Sequence, residues 1–168
     1  IECPLPEHSS LIPDLTDLRA KANSRDILLA GAENVIGLAG IEPFLEASAY
    51  DVMMPDVKYI GGLGTMMRIA ERLEARGVLF SPHNPSGPVA HAASAEVCAA
   101  AASVDLLEYQ FEESPLFDDH VAEPMERTEA RPPRSGSGST GRNPEWCRVR
   151  PGVHGGGTKC IRYRLENF

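Results

Sequence analysis

The sequence has no excess of positive charge, no long apolar run and no opening signal segment. Its 168 residues carry 16 Lys and Arg against 24 Asp and Glu, a formal net charge of −8. An acidic surface repels polyanions, so we expect no nucleic-acid partner. No stretch approaches the roughly 18 apolar residues of a membrane span, and no charged and apolar leader opens the chain. We therefore expect no membrane partner and a cytoplasmic location.

The cysteines lack the spacings of a metal knuckle or a disulfide framework. There is no C-x-x-C pair and no His at a zinc-like distance from a Cys. The pattern favours unpaired thiols in a reducing compartment. These cysteines are widely scattered, at Cys3, Cys98, Cys147 and Cys160.

The composition is that of an ordinary soluble domain, with 42% hydrophobic and 24% charged residues. Such a chain is large enough to bury a core, and small-molecule chemistry is the expected role. The sequence opens at Ile1 with IECPLPE, which resembles the end of a strand already under way. We therefore expect a fragment of a longer protein.

Short apolar runs alternate with helical periodicity along the first two thirds of the chain. Helical spacing appears at Leu11, Leu15, Leu18 and Ala22, then around Ile41–Ala49, Met66–Leu73 and Val89–Ala102. The strand-like runs are ILLAGAEN, DVMMPDV, VLFSP and DLLEY. Repeats of about 25 to 30 residues predict parallel β/α units, and hence the C-terminal part of a TIM-type (β/α) barrel with about three units upstream.

The last part of the chain has a different character. Residues 1–125 are predicted to form the barrel portion, and residues 126–168 an irregular tail rich in Arg, Pro and Gly, expected to be disordered. An abrupt loss of periodicity there suggests a frameshift or a wrongly joined end. A basic binding arm is the alternative, because the tail concentrates arginines at Arg127, Arg131, Arg134, Arg142, Arg148 and Arg150.

Ionisable side chains stand at the predicted C-terminal ends of successive strands, where a parallel barrel collects its active site. Each has an ordinary explanation when taken singly: a turn cap, a loop hydrogen bond, a structural ion pair or a surface acid. Jointly they indicate a site, because strand ends facing a core are costly places for unpartnered charges. These residues are Glu2, Glu33, Asp56, His83 and Glu108.

At these positions the sequence resembles a known family. The segments IECP, GAEN, MMPDVKYIGG, SPHNPSGP and LLEY, in this order, are similar to the enolase superfamily, and more narrowly to the mandelate racemase branch. The resemblance runs from Ile1 to about Phe117. The muconate-lactonising branch carries a lysine base at the position of Asp56, whereas here the residue is an acid and His83 follows on the next strand.

The resemblance implies a Mg²⁺ cofactor and a small-molecule carboxylate substrate. Glu2 and Glu33 match the second and third of the family's metal carboxylates, and Mg²⁺ suits such oxygen ligands. His83 would be the acid/base with Asp56 as its orienting partner, and Glu108 would hydrogen-bond the substrate carboxylate or enediolate. The pairing of a His base with Mg²⁺ is the established pattern of enolase-type sites. We expect a homo-oligomer in the full-length protein.

Departures from the family pattern bear on the site. Cys3 follows Glu2 where relatives usually carry a second acid or an amide. The family's first metal carboxylate and upstream lysine pair have no counterpart in these residues. The tail does not resemble the ordered apolar return of the family.

The reaction expected first is dehydration of a sugar acid or hydroxy acid, with His83 as imidazolium protonating the leaving β-hydroxyl. The alternative is a racemase or epimerase, in which an upstream lysine would serve the opposite face of the carbon. A further alternative is an inactive fragment that lacks the upstream ligand and base.

Overall fold

The computed structural model describes residues 1–110, Leu116 and the strand Cys160–Tyr163. Within this part the chain is a parallel α/β structure. Strands β1 (Ala30–Gly31), β2 (Val52–Met53) and β3 (Leu79–Phe80) lie side by side in chain order. Both pairings are parallel, as the alternation of strands and helices predicts.

The parallel succession continues by one residue pair on each side. Glu2 forms a parallel bridge to Ala30 on one edge, and Val104 forms one to Phe80 on the other. Five neighbouring segments therefore follow one another in the order of the sequence. This arrangement places the C-terminal ends of all five at the same edge of the sheet.

Four helices connect these segments, namely α1 (Ile12–Asn23), α2 (Gly37–Glu46), α3 (Leu63–Ala75) and α4 (Pro88–Ala100). Helix α3 packs against both α2 and α4. The apolar stripe that the sequence predicts for α3 is buried at Met66, Ile69, Ala70 and Leu73.

Helix α2 begins four residues before its predicted start at Ile41 and ends before its predicted end at Ala49. The start is set by a tertiary contact, because the Gly37 N–H donates to the Tyr59 carbonyl at 3.1 Å. No side chain caps this terminus. The predicted boundaries were wrong because local sequence carries no signal for that contact.

Strand β4 (Leu107–Gln110) follows the Val104 bridge and overlaps the predicted DLLEY strand. It pairs antiparallel with β5 (Cys160–Tyr163), a strand that no apolar pattern in the sequence indicates. The predicted boundary at residue 125 and the other residues of the predicted tail lie outside the described residues.

The core lies between the sheet and the helices. Tyr50 and Phe80 are its largest fully buried side chains, and the Tyr50 ring stacks on Phe44 with centroids 6.0 Å apart. Gly31 lies directly against Tyr50, since a Cβ built at this position would come within 2.5 Å of the ring. Cys3 and Cys98 carry free thiols.

Candidate active site

The His83 imidazole lies at the centre of the predicted residues. Its Nδ1 is 3.2 Å from Asp56 Oδ2. Its Nε2 is 3.6 Å from Glu33 Oε2 and 3.9 Å from Glu108 Oε2. Three carboxyl groups from three other segments therefore face one histidine.

Asp56 is almost fully buried, and both of its oxygens have partners. Oδ1 accepts the backbone N–H of Lys58 at 2.9 Å, while Oδ2 accepts from His83 and lies 3.2 Å from Lys58 Nζ. The aspartate lies three residues after the end of β2, and the turn after it folds back over the carboxyl group. It is thus held rigidly against the imidazole.

Burial and hydrogen bonding act in opposite directions on this pair. Burial alone would raise the pKa of Asp56, but hydrogen bonds from His83 and Lys58 lower it below its ordinary value. Burial would lower the pKa of His83, but the Asp56 hydrogen bond and the charges of Glu108 and Glu33 raise it. The geometry therefore favours an imidazolium paired with carboxylates. With Nδ1 occupied by Asp56, Nε2 is the nitrogen that can exchange a proton in the cleft.

Glu33 and Glu2 lie next to each other at this edge of the sheet. Their carboxyl groups are within hydrogen-bonding contact, and the Cys3 thiol contacts Glu33 as well. Burial raises the pKa of Glu33, and the neighbouring Glu2 adds to that effect, although His83 and Cys3 oppose it. Neighbouring carboxyl groups repel each other when both are ionised, so a proton or a cation between them is favourable.

Glu108 is buried and tied to the loop that follows β3. Its Oε2 accepts the Asn84 N–H at 2.9 Å, and the Asn84 side-chain amide donates to the Glu108 carbonyl at 3.2 Å. The same amide contacts His91 Nδ1 at 2.6 Å. These buried contacts fix the start of β4 beside the loop that carries His83.

The structure therefore brings all five predicted residues to one edge of the sheet. Sequence reasoning missed Lys58, Asn84, His91 and Glu7. Lys58 and Asn84 each lie within two residues of a predicted site residue, in PDVK and PHN, and that proximity was the available signal. His91 and Glu7 reach the site only through tertiary contacts.

Glu2 and Glu33 fit part of a magnesium site. Carboxylate oxygens are suitable ligands for Mg²⁺, which completes an octahedron with water and substrate oxygens. Among the described residues, however, no group of three or more His, Cys, Asp or Glu side chains is arranged to hold a metal ion. The observation that favours a cation is the contact between the two carboxyl groups.

A parallel β/α succession with acids and a histidine at its strand ends is typical of a barrel-type domain, which collects its active site at that edge. The chain belongs to the enolase C-terminal domain-like family, whose model matches residues 1–142. The resemblance drawn from the sequence motifs and the predicted fold class are thereby confirmed, and the chain is an α/β domain of an enzyme superfamily.

Two curated relatives are sugar-acid dehydratases by name. A D-xylonate dehydratase from Haloferax volcanii is 33% identical over 95 residues, covering 56% of this chain and 23% of that protein. A D-galactonate dehydratase from Variovorax paradoxus is 37% identical over 76 residues, covering 45% of this chain and 20% of that protein. The chain thus spans about a fifth to a quarter of the length of these relatives.

Similar solved structures belong to the same superfamily. A mandelate racemase/muconate lactonizing enzyme-like protein from Rubrobacter xylanophilus has a TM-score of 0.62 and 34% identity, covering 73% of this chain and 30% of that one. An enolase from Agrobacterium radiobacter, with sodium and L-malate bound, has a TM-score of 0.59 and 33% identity, covering 66% of this chain and 27% of that one.

In the part of this chain that the structure describes, no helix has the length and apolarity needed to cross a membrane.

Proposed function

We propose that this chain supplies the acid/base half of a Mg²⁺-dependent site that removes the proton α to a substrate carboxylate and completes the dehydration of a sugar acid or hydroxy acid. The observation that carries the proposal is the His83 imidazole, held on Nδ1 by Asp56 and facing Glu33 and Glu108 through Nε2. The dehydratase names of the two curated relatives support this reaction class.

His83 would act as the general acid. As imidazolium, it gives its Nε2 proton to the β-hydroxyl, which leaves as water as the C–O bond breaks. Asp56 holds the ring through Nδ1 and stabilises its charged form. The α-proton goes to a base on the other side of the substrate, so that one water is lost in total and the enol product becomes a 2-oxo-3-deoxy acid.

The carboxyl groups of the candidate site would have different roles. Glu2 and Glu33 would hold Mg²⁺, which, when bound, stabilises the negative charge that develops on the enediolate oxygens. Glu108, buried beside Asn84, would contribute to binding the substrate carboxylate or enediolate. A bound cation together with L-malate in the Agrobacterium radiobacter enzyme supports this class of ligand.

The test is a dehydration assay with D-xylonate and D-galactonate in Mg²⁺ buffer, with the 2-oxo-3-deoxy acid measured by its semicarbazone. The variant His83→Gln should abolish product formation, reducing the rate by at least about 100-fold. The matched control is His8→Gln, because His8 is exposed and its ring forms a hydrogen bond with the neighbouring Ser10, away from His83 in sequence. Equal loss in both variants would contradict the role of His83.

The two alternatives predict different results in the same assay run in D₂O. A racemase or epimerase would return substrate of inverted configuration carrying deuterium at the α-carbon. An inactive fragment would give neither oxo acid nor deuterated substrate, although the chain remains folded. The first result would overturn the dehydratase proposal, and the second would show that these residues alone do not complete the site.

A further inference from the structure

The Glu7 carboxylate accepts hydrogen bonds from three consecutive backbone N–H groups of the loop after β1. Its Oε1 accepts from Ala32 and from Glu33 at 2.8 Å, and its Oε2 accepts from Asn34 at 2.7 Å. Glu7 is half-buried and lies in the loop between the Glu2 segment and α1. Hydrogen bonds to an ionised acceptor are the stronger kind, so the three together form a firm link between two loops.

The loop that Glu7 holds has an unusual backbone. Ala32 has a φ of 79°, a left-handed conformation that a residue with a Cβ seldom adopts. Such a conformation persists only where the surroundings fix it. Ala32 is fully buried, and its N–H is one of the three that Glu7 accepts. Glu7 therefore stabilises the turn that begins at Ala32.

The direction of the Glu33 side chain follows from that turn. The peptide N–H of Glu33 is itself bound by Glu7, and the Glu33 carboxyl group reaches to 3.6 Å from His83 Nε2. Glu7 also accepts from the Cys3 thiol at 3.4 Å, next to Glu2. One carboxylate thus fixes the backbone beneath Glu33 and contacts the side chain next to Glu2.

We propose that Glu7 is a positioning residue for the cation site, which acts by fixing the backbone that aims the Glu33 carboxyl group at His83 and Glu2. Where it concerns Mg²⁺, this inference rests on the proposed function. Glu7 contributes through the three N–H groups of residues 32–34 and does not contact the reacting atoms. Removing its charge or one of its acceptor oxygens moves the Glu33 carboxyl group.

The experiment compares the 168-residue chain with its Glu7→Gln, Glu7→Asp and Glu46→Gln variants. Glu7→Gln keeps the size of the side chain but replaces one acceptor oxygen by an NH₂ group that cannot accept. Glu7→Asp keeps the charge on a shorter arm and serves as the second variant if Glu7→Gln does not fold. Glu46→Gln is the matched control, since Glu46 is exposed at the end of α2.

Three readouts are made by NMR on each chain. They are the hydrogen exchange of the amides of residues 32–34, the imidazole resonances of His83, and the Mg²⁺ affinity from a titration with MgCl₂. In Glu7→Gln we expect exchange of these amides to accelerate by about 10-fold or more. We also expect the His83 resonances to shift, and Mg²⁺ affinity to fall by about 10-fold or more. Glu7→Asp should show the same changes to a smaller extent.

The outcomes separate the two proposals. Faster amide exchange with His83 resonances and Mg²⁺ affinity equal to those of Glu46→Gln would overturn the positioning role, because Glu7 would then be structural only. If MgCl₂ shifts no resonance of Glu2 or Glu33 in the unchanged chain, the proposed cation site is wrong. The His83 resonances, which report on Glu33 without Mg²⁺, then decide the role of Glu7 alone.

Discussion

At the residue scale, Asp56 shows how one side chain fixes another. Its three partners approach from two directions: the Lys58 backbone and ammonium from its own turn, and His83 from the next strand. Lys58 also lies over the Tyr59 ring, with Nζ 4.7 Å from the ring centroid. Because both oxygens are occupied, the carboxylate cannot rotate away from the imidazole, and the ring keeps one orientation.

This arrangement predicts a pH-dependent contribution of Asp56 to stability. Its pKa is lowered in the folded chain, so the unfolded chain takes up the proton first as pH falls. The stabilisation is therefore complete above about pH 4, the ordinary range of an aspartate, and is lost as pH falls through the lower folded pKa. Asp56→Asn should cost about 1–3 kcal/mol at pH 6, and the difference from the unchanged chain should shrink towards pH 3.

Urea unfolding between pH 3 and pH 6 measures that difference. Asp17→Asn, at an exposed position of α1, is the matched control and should change the free energy of unfolding by less than about 0.5 kcal/mol. A difference for Asp56→Asn that grows as the pH is lowered would show that the folded-state pKa is raised instead.

Gly31 gives a second prediction at this scale. A methyl group there would come within 2.5 Å of the Tyr50 ring, which is fully buried and stacked on Phe44. The ring cannot move without disturbing the core, so Gly31→Ala should destabilise the chain by about 1–3 kcal/mol. Thermal unfolding followed by circular dichroism tests this, and an unchanged melting temperature would contradict the packing at this position.

At the scale of the element, helix α3 allows one chemical change to be compared at two positions. Gly64 is in the first turn with open space around its Cβ position, and Gly77 follows the helix with a φ of 67°. Gly64→Ala should stabilise the chain by about 0.5–1 kcal/mol, because alanine lowers the entropy of the unfolded chain and favours the helix. Gly77→Ala should destabilise it by about 1 kcal/mol, because alanine disfavours the left-handed conformation.

Urea unfolding of the two variants measures the change in the free energy of unfolding at each position. The prediction is tested by the sign of each change. Equal effects at Gly64 and Gly77 would mean that the helix does not end where the structure places its end. The unchanged chain serves as the common reference.

The elements whose ends depend on local sequence were predictable. Helix α3 lies where its apolar periodicity places it, and Gly77 ends it as expected. Asp56 and His83 each follow a short apolar run that forms a strand, so their common edge could be derived from the parallel alternation. These features depend on periodicity and turn chemistry within a few residues.

The features that were not predictable depend on contacts between distant segments. Glu7 meets residues 25, 26 and 27 positions away in sequence, and the start of α2 depends on the Tyr59 carbonyl. Strand β5 pairs with β4 across an interval without apolar periodicity. Which loops meet in space is decided by the whole sheet, so no local pattern indicates these contacts.

At the scale of the whole molecule, Cys98 reports on the opening of the core. Its thiol is buried on α4, and burial raises its pKa to about 12. Thiolate, the reactive form, is therefore scarce and inaccessible in the folded chain. Cys98 should react with a maleimide at least about 100-fold more slowly in native buffer than in urea, because reaction requires the core to open.

Mass spectrometry of the peptide that contains Cys98 follows this reaction, and a Cys98→Ala variant identifies its signal. Labelling of Cys98 should accelerate over the urea range in which circular dichroism reports unfolding. Rapid labelling in native buffer would show that α4 detaches from the core independently of global unfolding.

The order of the strands in the sheet has a consequence for how the site is made. Because neighbouring segments follow one another in sequence, each acid or histidine joins residues already synthesised, as when His83 meets Asp56 27 positions earlier. A ribosome adds about 5–20 residues per second, so Glu33, Asp56 and His83 emerge seconds apart and in the order in which they become neighbours. The site can thus be assembled stepwise during translation, with each nascent strand pairing to the edge of the one before it.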